Sequence, residues 1–187
     1  YVILHTKFRH FHRIKKTPSK KIKEILMIPG GAFNYRRLRK WVELLCAHGY
    51  RLKIFPEPWL KKSHKKILKR IYPALKFVGK VETRARPFFE ADVALIPADR
   101  SAYEAAACGT PALYFCTGRE QEYLADNFEK LGCGYKILPE KEDRDIVAQI
   151  RSLDLCQREE MGAQGKKTVD AGGVYRIIDF FQKKAII

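Results

Sequence analysis

The chain has 187 residues, of which 46% are hydrophobic, and a formal net charge of +16 at pH 7. These values are typical of one ordinary globular domain with a sizeable core. No apolar run approaches the roughly 18–20 residues of a transmembrane helix, which argues against a membrane-spanning class of protein.

The positive charge is concentrated in the first part of the chain. Residues 1–80 contain 22 of the 37 lysines and arginines, and their only acidic residues are Glu24, Glu43 and Glu57. The remainder is slightly acidic. Such an uneven field attracts polyanions or anionic lipid, without indicating which of the two.

The cysteines do not form a metal-binding or disulfide pattern. There are five, none in C-x-x-C spacing and none near a pair of histidines: Cys46, Cys108, Cys116, Cys133 and Cys156. We therefore expect no metal site, and we expect buried, reduced thiols of the kind found in cytoplasmic proteins.

Residues 1–23 are predicted to be a short strand followed by a basic segment, which fits an inter-domain linker or a nucleic-acid-binding arm. From residue 24 to 187, strands and helices alternate as one domain. The predicted strands are 24–28, 52–55, 74–78, 93–96, 112–115 and 135–138. The predicted helices are 35–48, 59–72, 82–90, 101–107, 119–131, 142–153, 157–169 and 174–184. This alternation predicts an α/β fold, a doubly wound, Rossmann-like parallel sheet of about six strands with helices on both faces.

The segment 91–115 organises the domain. A buried strand is followed by a short alanine-rich helix and a second buried strand. Ser101 and Glu104 have the Ser-x-x-Glu spacing of a capping box, and Gly109 and Pro111 end the helix. The start of this helix is expected at the carboxyl end of a strand, which is where ligands bind in open α/β sheets.

A glycine pair follows the first predicted strand. Gly30 and Gly31 could let backbone N–H groups approach a phosphate at the start of the next helix. The same residues also fit a tight strand-to-helix turn, and they match neither G-x-G-x-x-G nor a Walker loop. Both interpretations stay open on the residues alone.

Three further side chains have both a structural and a functional interpretation. Glu104 could be a capping residue, or its carboxylate could accept hydrogen bonds from two ribose hydroxyls. Arg119 could face a phosphate and Gln121 a sugar hydroxyl, or both could be surface residues in a first helical turn. The histidines do not cluster with an acid or a nucleophile, so the catalytic residues are unknown.

The helix predicted over 59–72 carries six basic residues beside apolar ones that include Leu60, Ile67 and Leu68. It could lie on an anionic membrane surface or contact nucleic-acid phosphates. It could equally be a helix that covers the sheet and exposes a solvated basic face. No aromatic RNA-binding signature or helix-turn-helix spacing favours sequence-specific recognition.

Several motifs occur in a characteristic order. They are the strand-Gly-Gly-helix unit, Phe77-Val78-Gly79, the segment 88–94, Ser101 followed by Cys108-Gly109-Thr110-Pro111, Glu120-Gln121, Leu131-Gly132, and the tail Asp170-Ala171-Gly172-Gly173-Val174-Tyr175-Arg176-Ile177. Over residues 24–184 this order resembles the C-terminal, donor-binding domain of a GT-B glycosyltransferase. The resemblance is greatest to the group of lipid II GlcNAc transferases, UDP-sugar hydrolases of pseudaminic acid biosynthesis and spore-coat polysaccharide proteins.

The resemblance implies roles in binding a UDP-sugar-like substrate, with no separate cofactor. Gly30 and Gly31 would line the diphosphate loop, and the backbone of Phe77 and Val78 would meet the uracil. Ser101 would lie at the phosphate-facing helix start.

Two more residues receive roles in the same way. Glu104 would hold the ribose hydroxyls, and Gln121 would reach the donor sugar. Two departures from the family pattern accompany them. Residues 97–100 replace the usual glycines, so that Asp99 would repel a diphosphate unless Arg100 or Arg119 offsets it, and residues 33–34 replace an Asp-Pro pair.

The resemblance also implies what the chain works with. A preceding acceptor domain, of which residues 1–23 would be the remnant, would carry the catalytic residue, so this chain alone is expected to bind a nucleotide-sugar without turnover. The complete protein would act in cell-envelope polysaccharide or glycan synthesis, in the cytoplasm or at the inner membrane face with a lipid-linked acceptor. The alternatives are a basic α/β module for nucleic acid or anionic membrane, and a degenerate sugar-binding domain with a purely structural role.

Overall fold

The computed structural model describes residues 2–79, 82–137 and 146–184. They form one six-stranded, entirely parallel sheet in the order β3-β2-β1-β4-β5-β6. The strands are β1 Glu24–Met27, β2 Arg51–Ile54, β3 Leu75–Phe77, β4 Val93–Pro97, β5 Ala112–Phe115 and β6 Gly134–Lys136. The predicted doubly wound α/β sheet is thereby confirmed.

Helices cover both faces of the sheet. Their bounds are α1 Thr6–Arg13, α2 Tyr35–Ala47, α3 Lys62–Ile71, α4 Ala85–Glu90, α5 Arg100–Ala107, α6 Arg119–Lys130, α7 Ile146–Ser152, α8 Leu155–Thr168 and α9 Gly173–Lys184. Helices α2, α3 and α7 contribute to the hydrophobic core on one face, and α1, α4, α5 and α6 to that on the other. None of the described helices has the length and apolar character needed to cross a membrane.

Continuous apolar strands account for this double covering. All five residues of β4 are buried. In β1, Ile25 and Met27 point into one core while Leu26 points into the other, as the alternation of strand side chains requires. A strand buried on both faces carries no polar alternation, which is the pattern of a parallel sheet.

The N-terminal segment differs from expectation. Residues 2–5 form no strand, and the basic stretch contains helix α1. Leu4 and Phe8, four residues apart, are buried in the same core as α4 and α5, while most of the basic side chains lie outside it. Leu4, which precedes the N-cap of α1, and Phe8 within that helix thus attach the segment to the domain. That residue 23 marks a domain boundary stays a prediction.

Several predicted bounds are shifted by local turns. Helix α3 begins at Lys62 instead of residue 59, because the N–H of Leu60 donates to the carbonyl of Glu57 (3.0 Å) and closes a turn. Helix α4 begins at Ala85, whose N–H donates to Thr83 Oγ1 (3.3 Å). The predicted ends at 138 and 142 lie outside the described residues.

The cysteines are all free thiols, as expected, but they are not all buried. Cys108 and Cys133 are buried, whereas Cys156 is exposed. The expectation of five buried thiols is therefore wrong for Cys156, since it lies on the outer side of α8, two residues after the N-cap Asp154.

Lys16 links the N-terminal segment to the sheet through side-chain hydrogen bonds. Lys16 Nζ donates to the carbonyl of Ala91 (2.6 Å), to Thr110 Oγ1 (2.7 Å) and to the carbonyl of Phe88 (3.4 Å). No carboxylate of the described residues forms an ion pair with it. Burial lowers the pKa of Lys16 to about 7.

This lowered pKa predicts a pH dependence of stability. The unfolded chain holds the Lys16 proton up to pH about 10, and the folded chain releases it above pH about 7. Because the unfolded state binds more protons in that window, the free energy of unfolding rises with pH there. We expect Lys16→Met to flatten the rise, measured by urea unfolding at several pH values. Lys20→Met, at an exposed lysine, is the control, and an unchanged slope in Lys16→Met would contradict the prediction.

Candidate functional site

The crevice between β1 and β4 is the candidate site. The chain turns to opposite sides of the sheet after these two strands, which makes their carboxyl ends the topological switch point. Gly30 follows β1 with a positive φ of 58°, and a Cβ added there would lie 3.4 Å from Pro97 Cγ at the end of β4. The two loops are therefore in contact at the base of the crevice.

The glycine loop is held by the loop after β2. Gly30–Ala32 forms a single 3₁₀ turn. The N–H of Gly30 donates to Glu57 Oε1 (3.3 Å), and Trp59 Nε1 donates to the carbonyl of Gly30 (3.4 Å). Gly31 is exposed, and a Cβ added to it would meet no atom within 4 Å. The N–H group of Gly30, which the sequence predicts to approach a phosphate, is thus already bonded to a carboxylate of the chain.

The start of α5 differs from the predicted capping box. Asp99, not Ser101, is the N-cap, and its Oδ1 accepts the N–H of Ser101 (2.7 Å). The helix therefore begins at Arg100, one residue before its expected start, because an aspartate immediately precedes it. Ser101 is 1% exposed. Asp99 therefore occupies the backbone donor of Ser101, the residue predicted to lie at a phosphate-facing helix start.

Glu104 points away from the helix cap and into a pair of arginines. It is 3% exposed, and its Oε2 lies 2.8 Å from Arg84 Nη2 while its Oε1 lies 3.5 Å from Arg100 Nε. Burial raises the pKa of Glu104 more than the two guanidinium groups lower it. The capping role predicted for Glu104 is wrong, and the carboxylate is instead part of an ion-pair network at the mouth of the crevice.

Phe77 and Val78 lie at the far end of the same sheet edge. Two strands separate β3 from β4, which places them about 14 Å apart. The N–H of Val78 donates to the carbonyl of Ile54 (2.8 Å), so this N–H group is already occupied. Both residues line a cavity of about 750 Å³ beside α1 and α4, and none of the other six predicted residues lines it.

Arg119 and Gln121 lie after β5, on the other side of β4. Arg119 is exposed at the first residue of α6. Gln121 Oε1 accepts from the N–H of Thr117 (2.8 Å) and from its Oγ1 (3.0 Å). The amide oxygen of Gln121 thus closes the β5–α6 turn, and its amide nitrogen is the group oriented for other contacts.

The structure therefore places Gly30 and Gly31 after β1, and Ser101 and Glu104 on the helix that follows β4, so that both pairs come after the strands that meet at the switch point. Phe77 and Val78 lie on one side, at β3, and Arg119 and Gln121 on the other, after β5. Residues that the sequence analysis did not assign are Glu57, Arg84 and, as a partner of Glu104, Arg100. The i,i+4 spacing of Arg100 and Glu104 could have revealed that pair. Nothing in the sequence marks Arg84, which is 20 residues from Glu104, or Glu57.

Comparison with known proteins rests on structure. The sequence matches no protein-family model and no curated protein. Among solved structures, the glycosyltransferase of kitacinnamycin matches with a TM-score of 0.67 and 18% identity, covering 90% of this chain and 44% of that one. MurG from Acinetobacter baumannii matches with a TM-score of 0.65 and 18% identity, covering 94% and 53%. Glycosyltransferase VinC in complex with dTDP matches with a TM-score of 0.60 and 12% identity, covering 98% and 45%.

The chain has the fold of a glycosyltransferase half-domain. At these identities the likeness establishes the Rossmann-like α/β fold and extends over most of the chain. The chain spans about half the length of the structures that it matches. The fold sets the position of the switch point and its loops. The residues at the switch point determine its chemistry.

Because Asp99, and not the predicted Ser101, is the N-cap of α5, the two residues should contribute differently to stability. We expect Asp99→Ala to lower the free energy of unfolding by about 1 kcal/mol, because the N–H of Ser101 loses its acceptor. We expect Ser101→Ala to change it by less than about 0.5 kcal/mol. Urea unfolding of both variants at pH 7 is the measurement. A larger loss in Ser101→Ala than in Asp99→Ala would restore the capping box predicted from the sequence.

Proposed function

We propose that this chain is the donor-binding half of a GT-B glycosyltransferase or a related nucleotide-sugar hydrolase, and that it binds a UDP-sugar-like substrate at the switch point. The observation that carries the proposal is topological: the Gly30 loop follows β1 and the helix with Ser101 and Glu104 follows β4, and these two paired strands form the switch point. The fold shared with VinC, which was solved with dTDP, supports a nucleotide as the ligand.

Each predicted residue has a role in this proposal. Gly30 and Gly31 approach the diphosphate, and the start of α5 at Ser101 faces the same group. Glu104 accepts hydrogen bonds from the ribose hydroxyls through the lone pairs that Arg84 and Arg100 leave open.

The remaining residues contact the two ends of the ligand. The carbonyl groups of Phe77 and Val78 read the base. Arg119 and the amide nitrogen of Gln121 reach the phosphate and the donor sugar. Their separation along the carboxyl edge, across β2, β1, β4 and β5, suits an extended ligand.

Two internal carboxylates compete with the diphosphate. Glu57 accepts from the N–H of Gly30, and Asp99 accepts from the N–H of Ser101. A diphosphate that uses these donors must displace both side chains and approach their charges. We therefore expect modest affinity, with Arg100 and Arg119 offsetting part of the repulsion.

Discrimination between ribose and deoxyribose tests the role of Glu104. We expect calorimetric titration to show that UDP binds more tightly than 2′-deoxy-UDP, CMP or GDP. In Glu104→Gln we expect UDP affinity to fall about tenfold, about 1.4 kcal/mol, and the preference for ribose to disappear, because one charged acceptor is lost.

In the same titration, Asp99→Asn should change UDP affinity in the opposite direction from Glu104→Gln. Removing its charge while keeping a capping side chain should tighten UDP binding. Glu122→Gln, an exposed acidic residue on α6, is the control and should leave binding unchanged. Equal binding of UDP and deoxy-UDP by the unaltered chain would exclude Glu104 from the ribose site. No nucleotide binding by a folded chain would overturn the proposal as a whole.

The complete protein, in this proposal, carries a preceding acceptor domain with the catalytic residue. This chain then binds the donor without turnover. The product belongs to cell-envelope polysaccharide or a related glycan, and the protein works in the cytoplasm or at the inner face of the membrane.

A second candidate function concerns the basic helix α3. It carries Lys62, Lys66, Lys69 and Arg70 on its exposed surface, and Leu68 anchors it to the sheet. Exposed Ile67 and Ile71 lie one turn apart among these cations. An exposed apolar pair flanked by lysines favours an anionic lipid surface over nucleic acid, since apolar side chains enter a lipid headgroup layer.

Vesicle binding distinguishes an anionic lipid surface from nucleic acid as the partner of α3. We expect the chain to sediment with vesicles containing anionic lipid and not with neutral ones. The double variant Ile67→Ser with Ile71→Ser should weaken this association severalfold, since each buried CH₂ contributes about 0.8 kcal/mol. Val174→Ser with Ile177→Ser on α9 is the control pair. Binding to single-stranded RNA that is equal in all variants, without vesicle binding, would favour nucleic acid.

A further inference from the structure

A second cavity lies at the opposite edge of the sheet from the candidate nucleotide site. It has a volume of about 430 Å³ and lies between residues 15–18 of the N-terminal segment and α8. Gly109, which also lines it, belongs to the turn immediately before β5. The cavity therefore borders the amino-terminal edge of the sheet, so nothing bound there could contact the Gly30 loop.

Close helix packing shapes this cavity. A Cβ added to Gly109, whose φ is 64°, would lie 2.8 Å from Lys166 Cε and 3.2 Å from the carbonyl oxygen of Gly162. Gly165 approaches Ala106 equally closely on the next turn of α8. These small residues bring α8 against the end of α5, and the long side chains of α8 extend past them to the N-terminal segment.

The lining is strongly cationic. Lys15, Lys16, Arg158 and Lys166 all line the cavity, and Glu159 is the one acidic side chain among its lining residues. Arg158, Lys16 and Lys166 form no ion pair with a carboxylate anywhere in the described ranges. Their hydrogen-bond partners among the described residues are backbone carbonyls and the Thr110 hydroxyl group, and the ammonium groups of Lys16 and Lys166 also lie 5.9 and 6.0 Å from the centre of the Phe89 ring.

Among the lining residues, Arg158 gives the strongest indication that the cavity binds an anion. It is 1% exposed, its Nε donates to the carbonyls of Leu153 and Asp154 (3.2 Å each), and its Nη2 donates to the carbonyl of Ser19 (2.9 Å). Its Nη1 is buried and has no hydrogen-bond partner among the described residues. A buried guanidinium with an unused donor and no counterion is costly unless an acceptor is supplied.

The neighbouring lysines differ in the donors that they keep free. Lys166 Nζ donates to the carbonyls of Ile14 (2.6 Å) and Phe11 (3.4 Å), which leaves one ammonium proton. Lys15 is exposed at the rim, where its ammonium can turn toward the cavity. Lys16 donates its protons within the protein, and because its pKa is lowered to about 7 it contributes only part of a positive charge at pH 7.

We propose that this cavity is a second anion site that binds the phosphate group of a small phosphorylated molecule, or free phosphate, through Arg158 Nη1, Lys166 and Lys15. A phosphate carries up to two negative charges and accepts hydrogen bonds from several directions. It therefore suits donors that come from both α8 and the N-terminal segment. The cavity is larger than one phosphate, whose volume is close to that of a few waters at about 30 Å³ each, so a phosphate ester also fits.

Thermal unfolding with added anion tests this site. Inorganic phosphate and glycerol 3-phosphate are titrated against sodium chloride of equal ionic strength. We expect a saturable rise of the unfolding temperature with at least one of the two, because an anion bound to the folded state alone stabilises it. The tighter of the two probes identifies free phosphate or an ester as the ligand.

Charge variants at exposed residues locate the binding without disturbing the core. Lys15→Glu should weaken phosphate binding by about tenfold or more, whereas Lys69→Glu on α3, with the same net charge, should not. Glu159→Gln should strengthen it. No saturable response to either probe, or a response equal in Lys15→Glu and Lys69→Glu, would overturn the proposal. Because Glu104→Gln leaves this cavity intact, loss of nucleotide binding in that variant does not affect the outcome.

Discussion

The parallel pairing of β1 with β4 is the constraint on which the candidate site depends. Three residues of each strand are in register, so both strands end at the same edge of the sheet. The chain passes from β1 to β2 and β3 on one side and returns to β4 on the other, which opens a crevice between two diverging loops. Gly30 permits the closest approach of those loops, because a positive φ at this point suits a residue without a Cβ.

In the crevice, the chain's own charged side chains form ion pairs with one another and hydrogen bonds with backbone N–H groups. Glu57 and Asp99 occupy backbone donors, and Arg84 and Arg100 surround the buried carboxylate of Glu104. This arrangement stabilises the crevice without a ligand, since buried donors and charges are costly when unpaired. Any anion that enters exchanges these internal contacts for its own, so its affinity is the difference between two sets of hydrogen bonds.

Charged side chains are stabilised in different ways at the two edges of the sheet. At the carboxyl edge, carboxylates and guanidinium groups pair with one another. At the amino edge, Lys16, Arg158 and Lys166 are held by carbonyl oxygens and have no carboxylate partner. Carbonyl dipoles stabilise a cation less completely than an opposite charge does. The excess positive charge of residues 1–80 is thus partly directed inward, since Lys16 belongs to that part of the chain.

The sequence by itself determined the α/β alternation, the six strands and the likeness to a glycosyltransferase half-domain, because continuous apolar strands and glycine-ended helices are local signals. It also placed Gly30 and Glu104 after strands whose carboxyl ends share one edge of the sheet, which the pairing of β1 with β4 confirms. Only the tertiary structure decided that Asp99 caps α5 and that Glu104 pairs with Arg84. It also decided that Glu57 reaches Gly30 and that Arg158 lies without a counterion. Most of these contacts join residues that are 20 or more positions apart in the sequence. The cap of α5 depends on which of two neighbouring side chains, Asp99 or Ser101, accepts an N–H group. Helix and strand periodicity carries no information about long-range contacts or about such a choice.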